Sequence, residues 1–493
     1  MSNMSLKMPG RWTEVILWGL SGVSAVGLIW TGITNDEWIG FGHHVDRLST
    51  TLALLVTLVG AVTFRFSRRY LLGEPGQVRF LVWHALAVVS AMLLMLSGNL
   101  ILLWATWMLT GLGLHKLLTH YADRPEALPP ARKKFLISRL GDVALISAIL
   151  IVAIGYGTTD LSLFLSQAMQ NPHTSGVQTV GVLVVIAALT KSAQFPFHSW
   201  LPETMEAPTP VSALMHAGII NAGGALLLKF APVISVTPVA VILLISVGVF
   251  TAILGMVSMW AQTNIKRTLA WSTVSQMGFM MIQLGLCVFP AAVLHIVGHG
   301  LYKAWNFLAS GWVPAQSVFR PLPPGKHLSW VGIGTMFAGV CLGASAWMIG
   351  LDVLHHPGEA ALMVVLALAL AQVWPVVMSC PTIKRALVTV FITLGVSVLA
   401  VGMYRGATVF YAPSFEQVVI PSGVLGWISG ASVVVSVMLL ILMHAFLAVL
   451  SRSPRGRAFR IHALHGFYCG AVADRVVRMV YSSPLIPGVK SHA

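Results

Sequence analysis

Residues Lys191 to His216 read KSAQFPFHSWLPETMEAPTPVSALMH, a stretch that sets one lysine, His198, His216, Glu203 and Glu206 among prolines. An apolar run, Val177 to Leu189, leads into it and carries a helix toward hydrocarbon depth, where it meets Lys191. Pro196, Pro202, Pro208 and Pro210 each remove an N–H donor and disfavour helix just before them, so the helix is expected to break here. Broken backbone at membrane depth is tolerated only inside protein or beside a watery cavity. An ammonium at such a break is costly in lipid and by default marks an ion or proton path. A lysine snorkelling to the interface from a helix end is the plainer alternative. The crowding of two glutamates and two histidines into the same segment favours the path.

A second stretch, HIVGHGLYK, places His295, His299 and Lys303 at i, i+4 and i+8 on one helical stripe. Its neighbours are apolar, so the stripe is expected to face protein or water rather than lipid. Two imidazoles and an amine at that spacing can hand a proton along stepwise. A metal pair is one rival reading, although two histidines without a carboxylate make poor zinc coordination. Histidines hydrogen-bonded in a bundle core are the other. Asp142, in RKKFLISRLGD, follows Arg139 by three residues, and the pair suits a structural role as well as a transport role. Lys229 ends an apolar run and is expected to snorkel. His84 and His444 stand alone on apolar helices and are expected to be satisfied core residues. In NIKRTLAWSTVSQMGF (Asn264 to Phe279), Ser272, Thr273, Ser275 and Gly278 allow close helix packing, with Lys266 and Arg267 as anchors.

The chain that must position these groups dissolves in lipid. Of its 493 residues 57% are hydrophobic and 9% charged, with a mean hydropathy of +0.83; soluble domains carry about 25% charged residues. An all-α polytopic membrane protein is expected. Apolar windows of about 20 residues mark about fourteen spanning helices. They lie near 12–33, 46–66, 79–97, 99–118, 135–157, 177–200 (broken), 211–230, 238–260, 268–288, 291–312, 329–351, 360–380, 386–404 and 424–450. No small-residue cleavage site follows the first run, so Trp12 to Ile33 reads as a retained span.

The loops support that count. With the N-terminus inside, Lys7, Arg11, Arg65, Arg68, Arg69, Arg79, Lys116, Arg124, Arg132, Lys133 and Lys134 fall on the inner side. So do Lys266, Arg267, Arg320, Lys326, Lys384, Arg385 and the tail residues Arg452, Arg455, Arg457 and Arg460. Asp36, Glu37, Asp160, Asp352 and Glu359 fall outside, with Arg405 the exception. Both termini are expected in the cytoplasm. Residues 455–482 mix arginines with apolar side chains, as either an amphipathic surface helix or a loosely ordered basic tail would. The net charge of +15 does not signal nucleic acid, since no recognition helix, stacking module or zinc finger accompanies it. Cys287, Cys341, Cys380 and Cys469 are scattered, and only Cys469 has histidines nearby, His462 and His465. Neither a disulfide framework, a metal site nor any cofactor is expected on this chain. No nucleophile with an adjacent base and no phosphate-binding loop is present, so catalysis by this chain alone is not expected.

Several of these stretches resemble the antiporter-like membrane subunits of respiratory complex I (the NuoL type) and of Mrp sodium/proton antiporters. They are VDRLS (Val45–Ser49), NLILLWATW (Asn99–Trp107), SRLGD (Ser138–Asp142), Lys191–Gly218, Asn264–Phe279 and HIVGHGLYKAWNFLASG (His295–Gly311). The resemblance implies two inverted five-helix repeats, each with a broken helix. The chain would then divide into N-terminal helices (1–78), a first repeat (79–235), a second, degenerate repeat (236–385), C-terminal helices (386–450) and a basic tail (451–493). It also implies a proton path in which Lys191 is the central lysine, His216 a bridging histidine, and His295, His299 and Lys303 the connecting relay.

The sequence departs from the complex I pattern in two places. Met108 stands where the family carries a glutamate that pairs with the lysine, leaving Glu203 or Glu206 as substitute partners or a different coupling. Trp330 to Gly350 has no basic residue, so the second broken helix lacks its lysine and proline. The long lateral helix of the NuoL type is also missing. This short, divergent form resembles the DabB subunits of bacterial inorganic carbon uptake complexes. That resemblance implies a peripheral DabA-type partner, similar to a zinc carbonic anhydrase, that hydrates CO2 to bicarbonate in one direction. It also implies a proton- or sodium-conducting role in the inner membrane. A subunit of a redox-driven pump or of an Mrp-type cation/proton antiporter is the alternative, and an anchor with a dead channel a third.

Overall fold

The computed structural model describes residues 7–311, 324–353, 355–378, 382–420, 423–450 and 452–482. Arg320 and Cys380, named above, lie outside them. Helices α1 (Lys7–Thr34), α2 (Arg47–Tyr70), α3 (Gln77–Leu96), α4 (Leu100–Leu118), α5 (Leu128–Tyr156), α6 (Leu161–Gln170) and α7 (Ser175–Lys191) lead to the proline-rich stretch. Beyond it come α8 (Thr209–Ala217), α9 (Ala222–Lys229), α10 (Ala231–Ser235), α11 (Pro238–Ala261), α12 (Ile265–Gly285) and α13 (Phe289–Leu308). The rest is α14 (Pro324–Met348), α15 (Pro357–Ala371), α16 (Val373–Val377), α17 (Ile383–Phe410), α18 (Val424–Leu450), α19 (Pro454–Leu464) and α20 (Ala471–Ser482).

Among the described residues 11 helical segments are long and apolar enough to cross a membrane, which makes this a multi-pass membrane protein. The three other stretches expected to span are helical too. α7 is apolar but only 17 residues long, and α12 and α13 run 21 and 20 residues with polar groups interspersed. Among the described residues the only strands form a small hairpin before α2, β1 (Trp38–Gly40) and β2 (His43–Val45). Its tight turn holds Phe41 and Gly42 at positive φ, as two-residue hairpin loops require.

Local chemistry fixes where the helices start. Asp46 caps α2, accepting from the Ser49 N–H at 2.8 Å while Ser49 Oγ accepts from the Asp46 N–H. The Arg47 guanidinium, buried beside it, donates to the carbonyls of Thr31 and Phe410, tying α1, α2 and α17 together. Asn99 and Asn264 cap α4 and α12 in the same manner. α5 begins with prolines in its first turn and starts earlier than its apolar run. Lys133 and Lys134 are therefore inside a helix and buried, at 1% and 4% exposure, rather than in an inner loop.

The break forms as the prolines require. α7 stops at Lys191, Ala193 turns at φ 48°, and Leu201–Glu206 forms a 3-10 segment kinked at Thr204 before α8 begins. The span 177–200 is thus helical only as far as Lys191. The freed backbone finds partners inside the protein. Phe195 N–H donates to Thr251 Oγ1 at 3.0 Å, Gln194 N–H to Leu189 O at 3.0 Å, and Ser192 Oγ to Ile220 O at 2.8 Å. Residues 209–228 are buried throughout, so the chain that follows the break lies at the centre of the bundle.

One large core runs from Leu17 to Val433 and joins α1 to α13 with parts of α15, α17 and α18. A smaller one gathers Ala338, Leu342, Ala346, Ala367 and Val401. α11 and α12 pack backbone to backbone. A Cβ on Gly278 would fall 2.6 Å from Ala252 N and 2.7 Å from Gly248 O, so only glycine fits. Gly278→Leu is expected to destabilise the bundle by at least ~1–3 kcal/mol, read as a lower melting temperature in detergent. Gly298→Leu, where nothing lies within 4 Å, is expected to leave it unchanged.

Candidate functional site

Lys191, 8% exposed, ends α7 inside the bundle. Its ammonium donates to the carbonyl of Trp107 at 3.0 Å and lies 4.2 Å from the centre of the Trp107 ring. The indole N–H of Trp107 donates in turn to Asp142 Oδ1 at 2.9 Å, and Arg139 pairs with Asp142 at 2.7 Å. α5 and α7 come this close because Gly141 lies against Thr190, where a Cβ would collide with Thr190 Oγ1. The expected Arg139–Asp142 pair is present, and it meets Lys191 through the tryptophan rather than directly.

Neither substitute acid pairs with Lys191. Glu203 accepts from Lys133 at 3.0 and 2.7 Å, and Glu206 from Arg124 at 3.0 Å near the surface. The reason is the break: once α7 ends, the chain turns away through Ala193 and the prolines and delivers both carboxylates to the end of α5. Burial lifts the Glu203 carboxyl above the ordinary carboxylate range, and Lys133 acts against that. Asp474 of α20 takes a second position on the same ammonium at 2.5 Å, and Arg132 lies over Tyr481. Of the basic tail, α20 thus docks on α5 as a helix.

His216 is fully buried and connected. Its Nδ1 is 3.0 Å from Thr273 Oγ1, which donates to the Leu269 carbonyl at 3.0 Å; Lys303 Nζ donates to that same carbonyl at 2.9 Å. Phe307 stacks on the imidazole at 4.4 Å. On the α13 stripe the rings of His295 and His299 are 5.7 Å apart, and His295 Nδ1 lies 2.7 Å from Gln283 Oε1. Lys303 is 0% and His299 7% exposed, so this stripe faces protein. Around the break several buried polar atoms have no protein partner: Gln194 Oε1, His198 Nδ1, Trp200 Nε1, His216 Nε2, Asn221 Oδ1 and His299 Nε2. Buried polar atoms of this kind are ordinarily satisfied by water. A small cavity opens between Lys191, Met215, Ile219 and Ile220.

Thr273, Lys133, Lys134, Gln283 and Asp474 are the site residues the sequence did not single out. Thr273 stood among small packing residues, and the lysines among loop anchors. Lys229 does not snorkel: its ammonium donates to the Ser97 carbonyl at 3.0 Å, near Asp46. His84 is a core residue bonded to Thr63 at 3.1 Å. His444 lies beside His327, ring centres 5.8 Å apart. His465 stacks on Tyr468, and among the described residues no group of three His, Cys, Asp or Glu side chains is arranged to hold a metal ion.

Residues 97–351 match the family described as NADH:quinone oxidoreductase/Mrp antiporter, and residues 30–81 that of the N-terminus of complex I chain 5. The chain is 36% identical over 412 residues to the probable inorganic carbon transporter subunit DabB2 of Halothiobacillus neapolitanus, covering 80% of this chain and 73% of that one. It is 35% identical over 339 residues to the probable inorganic carbon transporter subunit DabB of Hydrogenovibrio crunogenus, covering 68% and 64%. Among solved structures, the Mrp complex from Dietzia sp. superposes with a TM-score of 0.60 at 22% identity, over 99% of this chain and 64% of that one. That likeness is one of fold.

Asp474→Lys is expected to release α20 by setting two ammonium groups face to face. Trypsin should then cut at Arg475 and Arg478 at least several-fold faster, with the preceding helices intact.

Proposed function

Because the chain belongs to the NADH:quinone oxidoreductase/Mrp antiporter family and stands there with the DabB inorganic carbon transporter subunits, we propose that it conducts protons to energise a carbon-hydrating partner. The observation that carries this reading is the hydrogen-bonded line His216–Thr273–Leu269 O–Lys303, buried beside a broken helix that ends in Lys191. Each side chain in it can hold or pass a proton, and none is spent in a salt bridge. A sodium ion would ask for a cage of oxygens, whereas Lys191, His216, His295, His299 and Lys303 offer nitrogens; protons are therefore the favoured cargo over sodium.

In this reading a proton reaches Lys191 at the small cavity and moves on to His216, next in the chain to the cavity-lining Met215. It is handed on to Lys303 when the Thr273 hydroxyl turns from the Leu269 carbonyl that both now share. The neighbouring rings of His299 and His295 extend the line toward Gln283. Asp142 and Arg139 hold Trp107, and through it the lysine, in place. CO2 hydration itself, CO2 + H2O → HCO3⁻ + H⁺, belongs to a DabA-type subunit whose zinc would activate water. Downhill proton flow here would give that reaction its direction. The membrane is the bacterial inner membrane with both termini in the cytoplasm. In support, Arg124, Arg132 and Lys133 gather at the end where α20 docks, while Asp36, Glu37, Asp46 and Glu416 line a pocket elsewhere.

Co-expressed with its DabA-type neighbour, the chain should let a host lacking carbonic anhydrase grow in ordinary air. No growth with both proteins well expressed would overturn the proposal. Lys191→Ala and Lys303→Ala should each abolish growth. Thr273→Val keeps the shape but removes the hydroxyl and should cut proton flux into dye-loaded proteoliposomes at least ~10-fold; unchanged flux would remove the threonine from the path.

A further inference from the structure

Lys134 is a buried ammonium that the line above does not use. It sits on α5, 4% exposed, and donates to the carbonyl of Gly111 at 2.6 Å. Lys191 donates to the carbonyl of Trp107, one helical turn earlier on α4. Two lysines from different helices are therefore moored to successive carbonyls of one α4 stripe, about 6 Å apart along its axis. Gly111 makes room for both. A Cβ there would lie 3.6 Å from Lys191 Nζ and 3.8 Å from Lys134 Nζ, so both nitrogens flank the same point. Both also line one small cavity, with Ser138 and Thr190, that has room for roughly a single water molecule. Neither ammonium touches a carboxylate; the adjacent Lys133, by contrast, is held by Glu203 and Asp474.

We propose that Lys134 is the proton-exchange partner of Lys191, forming an inlet leg in which charge steps one turn along α4. The assignment rests on the reading of Lys191 as a proton carrier. Two ammoniums this close in a dry bundle repel, which favours the state with one charged and the other neutral, and the exchange starts from that state. In the exchange an N–H bond of the Lys134 ammonium breaks and its proton joins the bridging water. That water releases another proton to the lone pair of neutral Lys191, and no electron is gained or lost. The α4 stripe continues to His115, half-buried, its ring 5.1 Å from that of Phe135 and its Nδ1 without a protein partner. His115 is the group that supplies Lys134.

The rival is a structural tether between α4 and α5, and arginine separates the two. Lys134→Arg keeps the charge and a donor for the Gly111 carbonyl but does not release its proton at working pH. Lys134→Met is uncharged and of similar length. The whole complex, purified and reconstituted, is assayed for proton flux with a pH dye, with co-purification of the partner as the measure of assembly. Flux below about a tenth of wild type in both variants, with assembly intact, is the expected result. Wild-type flux in Lys134→Arg, with flux lost in Lys191→Ala, overturns this assignment alone. Wild-type flux in both Lys134→Arg and Lys191→Ala overturns it together with the transport reading.

Discussion

An ammonium group held inside a lipid-soluble bundle without a carboxylate beside it is the constraint that shapes this molecule. Leaving such a charge unpaired costs several kcal/mol, so the structure surrounds Lys191 with every dipole it can supply. The Trp107 carbonyl accepts from it and the indole face lies under it. The indole N–H reaches Asp142, whose own charge is shared with Arg139. Each of these contacts needs α4, α5 and α7 at close range, and Gly111 and Gly141 are where the backbone gives way. The proline-rich break serves the same constraint from the other side, ending the helix so that the lysine points into a polar interior.

Much of this was legible beforehand because it is written in local sequence. Prolines after an apolar run announce a broken helix, and His295, His299 and Lys303 at i, i+4, i+8 must share a face. What was not legible depends on tertiary placement. Thr273 reads as a small packing residue until His216 arrives from another helix and makes its hydroxyl a bridge. Lys133 and Lys134 read as loop anchors because α5 extends two turns beyond its apolar core, beginning at prolines that window averages treat as loop. Glu203 and Glu206, offered as substitute partners of Lys191, pair instead with Lys133 and Arg124, because chain distance across a break says little about direction. Asp474 lies 271 positions after Glu203 in the numbering, and no local pattern connects them.

The line of titratable groups also explains why one part of the chain is more tightly built than another. α8, α9, α12 and α13 carry His216, Asn221, Thr273 and Lys303, and their buried polar atoms need fixed neighbours to stay satisfied. Of polar side chains α17 buries only hydroxyls, those of Thr389, Thr393, Ser397 and Tyr404, and no histidine or lysine. Most of the described residues along α17 and α18 are exposed, and their surfaces are those of lipid-facing helices. The loss of a lysine from Trp330–Gly350 belongs to the same pattern, since no buried charge is left in α14 for neighbours to enclose.

Met108 then takes on a physical meaning. Where an acid pairs with the central lysine, the pair is neutral overall, and moving a proton requires separating opposite charges at a cost set by low dielectric. Here two lysines face one another across Gly111. With the roughly 6 Å spacing of the two accepting carbonyls taken as the charge separation and an effective dielectric near 20, the mutual repulsion would be about 3 kcal/mol, several times thermal energy. In the exchange proposed above, the position of one shared charge, and not its existence, is in play. A charge that shifts by one helical turn between equivalent amines need break no ion pair to move. Under the proposed exchange such an arrangement suits steady downhill conduction better than tight gating, and methionine at position 108 adds no carboxylate to hold either lysine.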